Sequence, residues 1–353
     1  MDRKTEEALR AELTKVAPGT LLREGIDFII SSRTGALIVL GDGKAVEALC
    51  NGGFEIDTPF TPQRVFELAK MDGAIILDAE CERIRRANVH LVPDSNLPTD
   101  ETGMRHRTAE RVSRQTGALV ISISQRRDVV SLYLGGQRVI LEDIDVLLAK
   151  ANQALQTLQR YRSGLDETLE RLTGLEFDDV ATLGDIVETT GRFEMVRRVS
   201  REVARYIDEL GTEGRLVRMQ AEELTAGVDE EYTLLLRDYI SDSGPRKVTS
   251  ARSQLADLAP DQLLEPAVVA GVLGMSSEQT SSEDHVRPRG HRILRRIPML
   301  PVSVVNRIVE RFGTLAALLG ASESDLDDVD GVGLRRATAI AEGLVRLRSR
   351  SII

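Results

Sequence analysis

Two short segments concentrate the side chains that an anionic nucleotide needs. In KMDGAIIL, Lys70 to Leu77, Asp72 and Gly73 close an amphipathic stretch and lead straight into an apolar run. A carboxylate at the mouth of a strand can hold a divalent cation or ease deprotonation of a hydroxyl, and the adjacent glycine admits a base or ribose against the backbone. Taken alone, Asp-Gly is more often an ordinary turn, since it is among the commonest turn pairs. In TDETGMRHRTAERV, Thr99 to Val112, Arg105 and Arg107 flank His106 at the start of an amphipathic stretch. At a helix N-terminus the two arginines would join free amides and the Thr108 hydroxyl in a dense donor set for a triphosphate. Such a row repels itself unless an anion neutralises it, which favours a ligand over simple solvation. His106 could donate to a phosphate oxygen or act as an acid, and residue order leaves both roles open.

A third segment, LDDVDGVGLRRATAIAEGL from Leu326 to Leu344, places Gly331, Val332 and Gly333 between a short and a longer helical stretch. The glycines allow positive φ and close approach of a ligand, the amides that open the second helix are unpaired, and Arg335 and Arg336 follow in its first turn. Upstream, IPMLPVSVVNRIVERFGTLAALL repeats the spacing, with Leu300 and Pro301 in place of the glycines. From His285 to Ile353 there are twelve arginines and no lysine against seven Asp and Glu, whereas the whole chain carries a net charge of −10. A basic end on an acidic body suits local contact with a polyanion. The pattern resembles a tandem helix-hairpin-helix domain, which implies non-sequence-specific binding to duplex or junction phosphates through Gly331, Val332, Gly333, Arg335 and Arg336. Asp325, Asp327, Asp328 and Asp330 beside the turn predict weak or salt-sensitive binding.

The elements that must position these residues follow from periodicity. Ala36 to Gly41, Ala74 to Asp78, Asn88 to Val92, Leu119 to Ser124 and Val129 to Leu141 are β-branched or alternating runs that predict strands. Thr61 to Met71 and Arg105 to Thr116 have helical spacing, with Pro62 at a first helical position and Gly117 at a stop. An α/β domain with a mixed sheet flanked by helices is therefore expected over residues 1–141. Over 142–284 the chain reads as all-α, a helical spine in which Leu155, Leu158, Tyr161, Leu165, Leu169 and Leu172 form one apolar stripe. Residues 285–353 form the third zone. A chain of 353 residues suits two or three such domains. Cys50 and Cys81 stand alone, without metal-ligand spacing or a disulfide framework, and no apolar run approaches the ~18 residues that span a bilayer. The charged start MDRKTEEALRAEL is unlike a secretory leader, so a cytoplasmic protein with no membrane partner is expected.

Asp72-Gly73-Ala74 followed by Gly103-Met104-Arg105-His106-Arg107-Thr108-Ala109-Glu110-Arg111 resembles the catalytic core of the diadenylate cyclases. With the spine and the C-terminal hairpins, the whole chain from Pro18 onward resembles the DNA-integrity scanning members of that family. The resemblance implies condensation of two ATP into cyclic di-3′,5′-AMP and two pyrophosphates with Mg²⁺ or Mn²⁺, in a homo-octamer whose cyclase domains meet face to face. It also implies a nucleoid-associated protein whose synthesis slows on branched DNA. By position, Asp72 would bind the metal and help activate the 3′-hydroxyl, while Gly73, Ala74 and Leu91 border the adenosine. Arg105, His106, Arg107 and Thr108 would hold the phosphates, with Ser124 at the sheet edge. Met104 stands where many relatives have threonine, and Gln125 where some have glutamate. The competing reading is a non-catalytic, nucleotide-sensing DNA-junction binding protein.

Overall fold

The computed structural model describes residues 11–125, 129–241, 243–275 and 281–350. The first ten residues of the charged start thus lie outside the described residues. Two compact units emerge. One comprises the described residues up to 153 together with 203–219, and the other comprises 154–202 together with those from 220 onward.

The first unit is built on β1 (Ala36–Leu40), β2 (Cys50–Asn51), β3 (Phe54–Pro59), β4 (Ala74–Leu77), β5 (Arg83–Leu91), β6 (Leu119–Ile123), β7 (Val130–Leu134) and β8 (Gln137–Leu141). They form a sheet in the order β2-β5-β4-β1-β6-β7-β8, with β3 also paired to β5. β1 runs parallel to β4, and the other pairings are antiparallel. All five residues of β1 and of β6 are buried, because helices cover both faces of the sheet. Ala36, Ile38 and Leu40 share one core with Leu22, Ile26 and Ile29 of α1 (Leu21–Ser31) and with Val65 of α3 (Pro62–Leu68). Leu37 and Val39 point the other way, into a second core with Val46 of α2 (Lys44–Glu47) and Ala109 and Val112 of α4 (Met104–Thr116). The period of two along the strands thus fills two layers at once.

The expected strands all occur, with instructive differences. Val129 to Leu141 divides into a hairpin at Gly135 and Gly136, both at positive φ, as a two-residue turn requires. β5 begins at Arg83, earlier than apolar spacing suggested, because Arg83 and Arg85 reach the Asp57 carboxylate of β3 at 2.9 and 2.6 Å. This exposed edge is held by ion pairs, which leave no hydrophobic alternation to read.

The second unit is helical. The predicted stripe lies on α5 (Ile144–Phe177), where Leu155, Leu158, Leu165, Leu169 and Leu172 are buried and Tyr161 is half-buried. α6 (Leu183–Leu210) and α7 (Arg215–Thr225), whose residues within 203–219 belong to the first unit, are followed by α8 (Val228–Tyr239), α9 (Pro245–Asp257) and α10 (Pro266–Leu273). Next come α11 (His291–Arg295), α12 (Val302–Phe312), α13 (Leu315–Leu319), α14 (Glu323–Asp327) and α15 (Gly333–Arg350). These last five share a core of Leu294, Val305, Ile308, Leu315, Leu326 and Ile340 that also takes Phe177 from the end of α5.

A polar knot fixes α11. The Asp238 carboxylate, at the end of α8, accepts the backbone N–H groups of Gly290, His291 and Arg292 at 2.8, 2.6 and 3.0 Å, capping the helix from outside its own sequence. Arg292 is fully buried against Glu176, which also accepts the Tyr239 hydroxyl at 2.8 Å. Burial and Glu176 push the Asp238 carboxyl up to about 7, against the pull of the backbone donors and Arg292.

A group held more tightly protonated in the folded chain than its ordinary 3.8 stabilises fully below that value and loses its contribution as pH rises toward about 7. Asp238→Asn should therefore flatten the decline in thermal midpoint between those pH values. Asp238→Ala should destabilise by about 2 to 4 kcal/mol through orphaned buried donors. Thermal unfolding followed by circular dichroism across pH checks both.

Candidate functional site

Strand order gathers one group of side chains at a single end of the sheet. In the parallel β1–β4 pair Ile38 lies opposite Ile75, so Gly35 and Asp72, just ahead of the two strands, emerge on the same side. Antiparallel β6 brings its last residue opposite the first of β1, Ile123 facing Ala36, and so delivers Ser124 there too. β5 runs against β4 with Val89 opposite Ala74, which adds Leu91. The N-terminus of α4 supplies the rest. Its cap residue, Gly103, makes no side-chain cap hydrogen bond to the first turn of this 13-residue helix.

Arg105 is the centre of the arrangement. Its Nη2 donates to Asp72 Oδ1 at 3.0 Å, and its guanidinium lies over Gly35, where a Cβ would stand 2.1 Å from Nη1 and 3.2 Å from the Ile123 carbonyl oxygen. The Asp72 side chain is 97% exposed and that of Arg105 37%, so the pair is wet, contributes little to stability, and opens at little cost when a better partner arrives. The two segments that sequence spacing singled out, 33 residues apart, therefore meet through one ion pair.

The remaining residues divide. Ala74 and Leu91 are buried in the core beneath α4. Gly73 answers first to the chain itself, since a Cβ there would lie 2.4 to 2.7 Å from the backbone of Asn88 and Val89 on β5. Arg107 and Gln125 are exposed, Thr108 and Ser124 half-buried, and Met104 84% exposed. His106 turns from the arginines to the sheet, its Nδ1 standing 2.9 Å from the Tyr133 hydroxyl. Tyr133 in turn donates to Glu101 Oε1 at 2.8 Å, and Arg138 holds the same oxygen at 3.0 Å. Sequence reasoning missed Gly35, Glu101, Tyr133 and Arg138. Gly35 precedes a strand, where a glycine is a visible signal, but Tyr133 reads as a core aromatic and only the fold brings it to His106. Among the described residues no group of three or more His, Cys, Asp or Glu could hold a metal ion by itself.

In the second unit, Gly331 and Gly333 adopt positive φ, 82° and 63°, and Arg336 Nη1 donates to the Gly331 carbonyl at 2.6 Å. Arg307 of α12 packs over the turn, 2.5 Å from where a Gly331 Cβ would stand, and pairs with Asp330 at 2.9 Å. Val332 lies between the two glycines with its side chain buried in the core and its amide donating to the Val329 carbonyl at 2.9 Å, which anchors the turn. Arg335 is exposed. The upstream turn keeps a positive φ without glycine, at Met299, 62°.

Residues 23–138 match the family model described as DisA bacterial checkpoint controller nucleotide-binding, and residues 141–282 match its linker region. The chain is 52% identical to the DNA integrity scanning protein DisA of Symbiobacterium thermophilum over 95% of both chains. It is 48% identical to that of Frankia alni, over 99% of this chain and 97% of that one. Against the Streptomyces coelicolor protein it is 47% identical, over 98% of this chain and 93% of that one. No helix among the described residues is long and apolar enough to cross a membrane.

Gly35→Ala should leave the thermal midpoint within a few degrees of the parent, because the atom it meets first is the tip of a flexible side chain. It should displace Arg105 from Asp72 and weaken nucleoside triphosphate affinity about tenfold, the loss of a charge-assisted contact. Calorimetric titration measures the second effect.

Proposed function

The chain belongs to the DisA family of diadenylate cyclases, and from that premise we propose that it condenses two ATP into cyclic di-3′,5′-AMP and two pyrophosphates. The observation that carries this reading is the Asp72–Arg105 pair at 3.0 Å beside the start of α4, whose cap residue Gly103 makes no side-chain cap hydrogen bond. Triphosphate oxygens are better partners for a guanidinium than an exposed carboxylate at 3.0 Å, so the nucleotide takes Arg105 and frees Asp72. Arg107, Thr108 and the α4 amides hold further phosphate oxygens, with Ser124 at the adjoining strand end. Gly73, Ala74 and Leu91 border the adenosine through backbone, since two of these side chains are committed to the core.

Mg²⁺ or Mn²⁺ fits this donor set. A single exposed carboxylate beside a phosphate site is what Mg²⁺ uses when the substrate completes its shell. Bound there by Asp72, the ion would neutralise charge on the α-phosphate and acidify the 3′-hydroxyl. Asp72 also accepts the proton of that hydroxyl, and Arg105 offsets the charge that develops on the transferring phosphoryl group. Each 3′-oxygen attacks the α-phosphorus of the other ATP, and pyrophosphate leaves in line. Because the Asp72–Arg105 pair stands at an open surface, two subunits face to face, within an octamer, would close over two nucleotides and make the step intramolecular.

The C-terminal helices, in this proposal, form a tandem helix-hairpin-helix domain over 285–353 that grips branched or junction DNA, after a cyclase domain over 1–141 and a spine over 142–284. The positive-φ turn at Gly331 and Gly333, with Arg335 and Arg336 behind it, supports phosphate contact without base readout. A cytoplasmic, nucleoid-associated location follows, and DNA that strains the spine would slow synthesis by misaligning the nucleotides.

Mass spectrometry after incubation with ATP and either metal tests the reaction, and absence of the cyclic dinucleotide with both rejects it. Asp72→Asn should abolish synthesis in a folded protein, while Arg105→Ala should weaken ATP binding. Replacing Gly331 and Gly333 together with valine should remove the gel shift on junction DNA while leaving basal synthesis in place. An unchanged shift overturns the DNA assignment.

A further inference from the structure

Tyr133 is fully buried on β7, yet its hydroxyl meets two polar side chains, His106 and Glu101. Three side chains from three places converge on it and its partner. Glu101 comes from the loop before α4, His106 from the first turn of α4, and Arg138 from β8. Arg138 Nε is itself anchored on the buried Ser131 hydroxyl at 3.2 Å. Because Glu101 Oε1 takes an Arg138 N–H at 3.0 Å, it is a carboxylate and can only accept. The single proton of Tyr133 therefore goes to Glu101, at 2.8 Å, and burial with Glu101 alongside pushes that phenol well above its ordinary range, so it stays protonated. The 2.9 Å contact to His106 then has one polarity: Nδ1–H donates to the Tyr133 oxygen.

Building on the cyclase reading above, we infer that Tyr133, held by Glu101 and Arg138, is the positioning residue of His106, fixing the tautomer and plane of the imidazole at the phosphate site. Nδ1 is committed as a donor toward the sheet, and the ring edge that carries Cδ2 lies beside the α4 cap, 3.4 Å from the position of a Gly103 Cβ. The Nε2 half of the ring is thereby kept on the side where α4 begins. A freely rotating histidine between two arginines would present either nitrogen, whereas this one presents the same atom at each turnover. Buried anchors of this kind act on an outer residue much as a carboxylate orients a metal-bound or catalytic histidine.

Tyr133→Phe removes one oxygen and keeps the core volume, and Glu101 retains Arg138, so the thermal midpoint should stay within a few degrees. kcat for cyclic dinucleotide synthesis should fall about tenfold or more with KM for ATP changed less than threefold. In a His106→Ala background the same substitution should have no further effect, a non-additivity that loss of packing would not produce. Glu101→Gln, which still offers Tyr133 an acceptor, should retain more activity than Glu101→Ala. Independently of turnover, the rate of His106 acylation by diethyl pyrocarbonate, read by peptide mass spectrometry, should rise at least threefold in Tyr133→Phe. Unchanged kcat, or additive losses with His106→Ala, overturns the assignment. If the parent protein makes no product with either metal, the cyclase reading falls and the acylation rates alone decide: equal rates refute the positioning role, and a threefold rise sustains it.

Discussion

The parallel pairing of β1 with β4 is the constraint on which the candidate site depends. Every other neighbouring pair in the sheet is antiparallel, and an antiparallel partner would have sent the residue preceding β4 to the far end. Because these two strands run the same way, Gly35 and Asp72 emerge together, and the guanidinium of Arg105 bridges them. The crossover between the strands is long enough to carry α2, β2, β3 and α3, as parallel strands require. Residues 41–73 are thus the connection that this one pairing demands.

Rigidity around the pair is unevenly distributed, and the distribution suits a binding role. Asp72 and Arg105 meet in solvent, where the bond between them contributes little. One step away, Gly73 is locked against the backbone of β5, Ala74 is in the core, and Tyr133 is sealed beneath α4. The exposed groups can exchange partners while their anchors cannot move. A binding site gains from that combination, since binding costs little reorganisation while geometry is preserved. The same principle recurs at the C-terminal turn, where Val332 and Arg307 secure Gly331 so that the glycine backbone stays in place.

What could be read from the sequence tracks the physics of each feature. Strands buried on both faces announce themselves as apolar runs, so β1, β4 and β6 were visible, as was the leucine stripe of α5. The Arg-His-Arg cluster was visible because unneutralised charge at a helix start has few structural explanations. The edge strand β3 was not, for Phe54–Pro59 is largely exposed and is held by Asp57 reaching two arginines of β5. α1 carried no motif, although its buried face closes one of the two cores. Partnerships that depend on register are silent in sequence: nothing near Tyr133 says that the residue opposite Val120 will meet the first turn of α4.

The cap on α11 shows how far such silence extends. A five-residue helix with Gly290 at its start has no capping side chain of its own, and read locally it is an unfavourable element. It forms because Asp238, 52 residues earlier, supplies the acceptors and Arg292 brings a charge for Glu176 to meet. Each of these buried groups would be expensive alone; the bonds that Asp238, Glu176, Tyr239 and Arg292 make form only if α5, α8 and α11 adopt one arrangement. Hydrophobic contacts in the surrounding core tolerate sliding, whereas three amides aimed at one carboxylate do not. The knot therefore specifies the placement of the helices that follow, including the α14–α15 turn with its two glycines, and a DNA-contacting role for that turn would inherit its geometry from a charge cluster that touches no DNA.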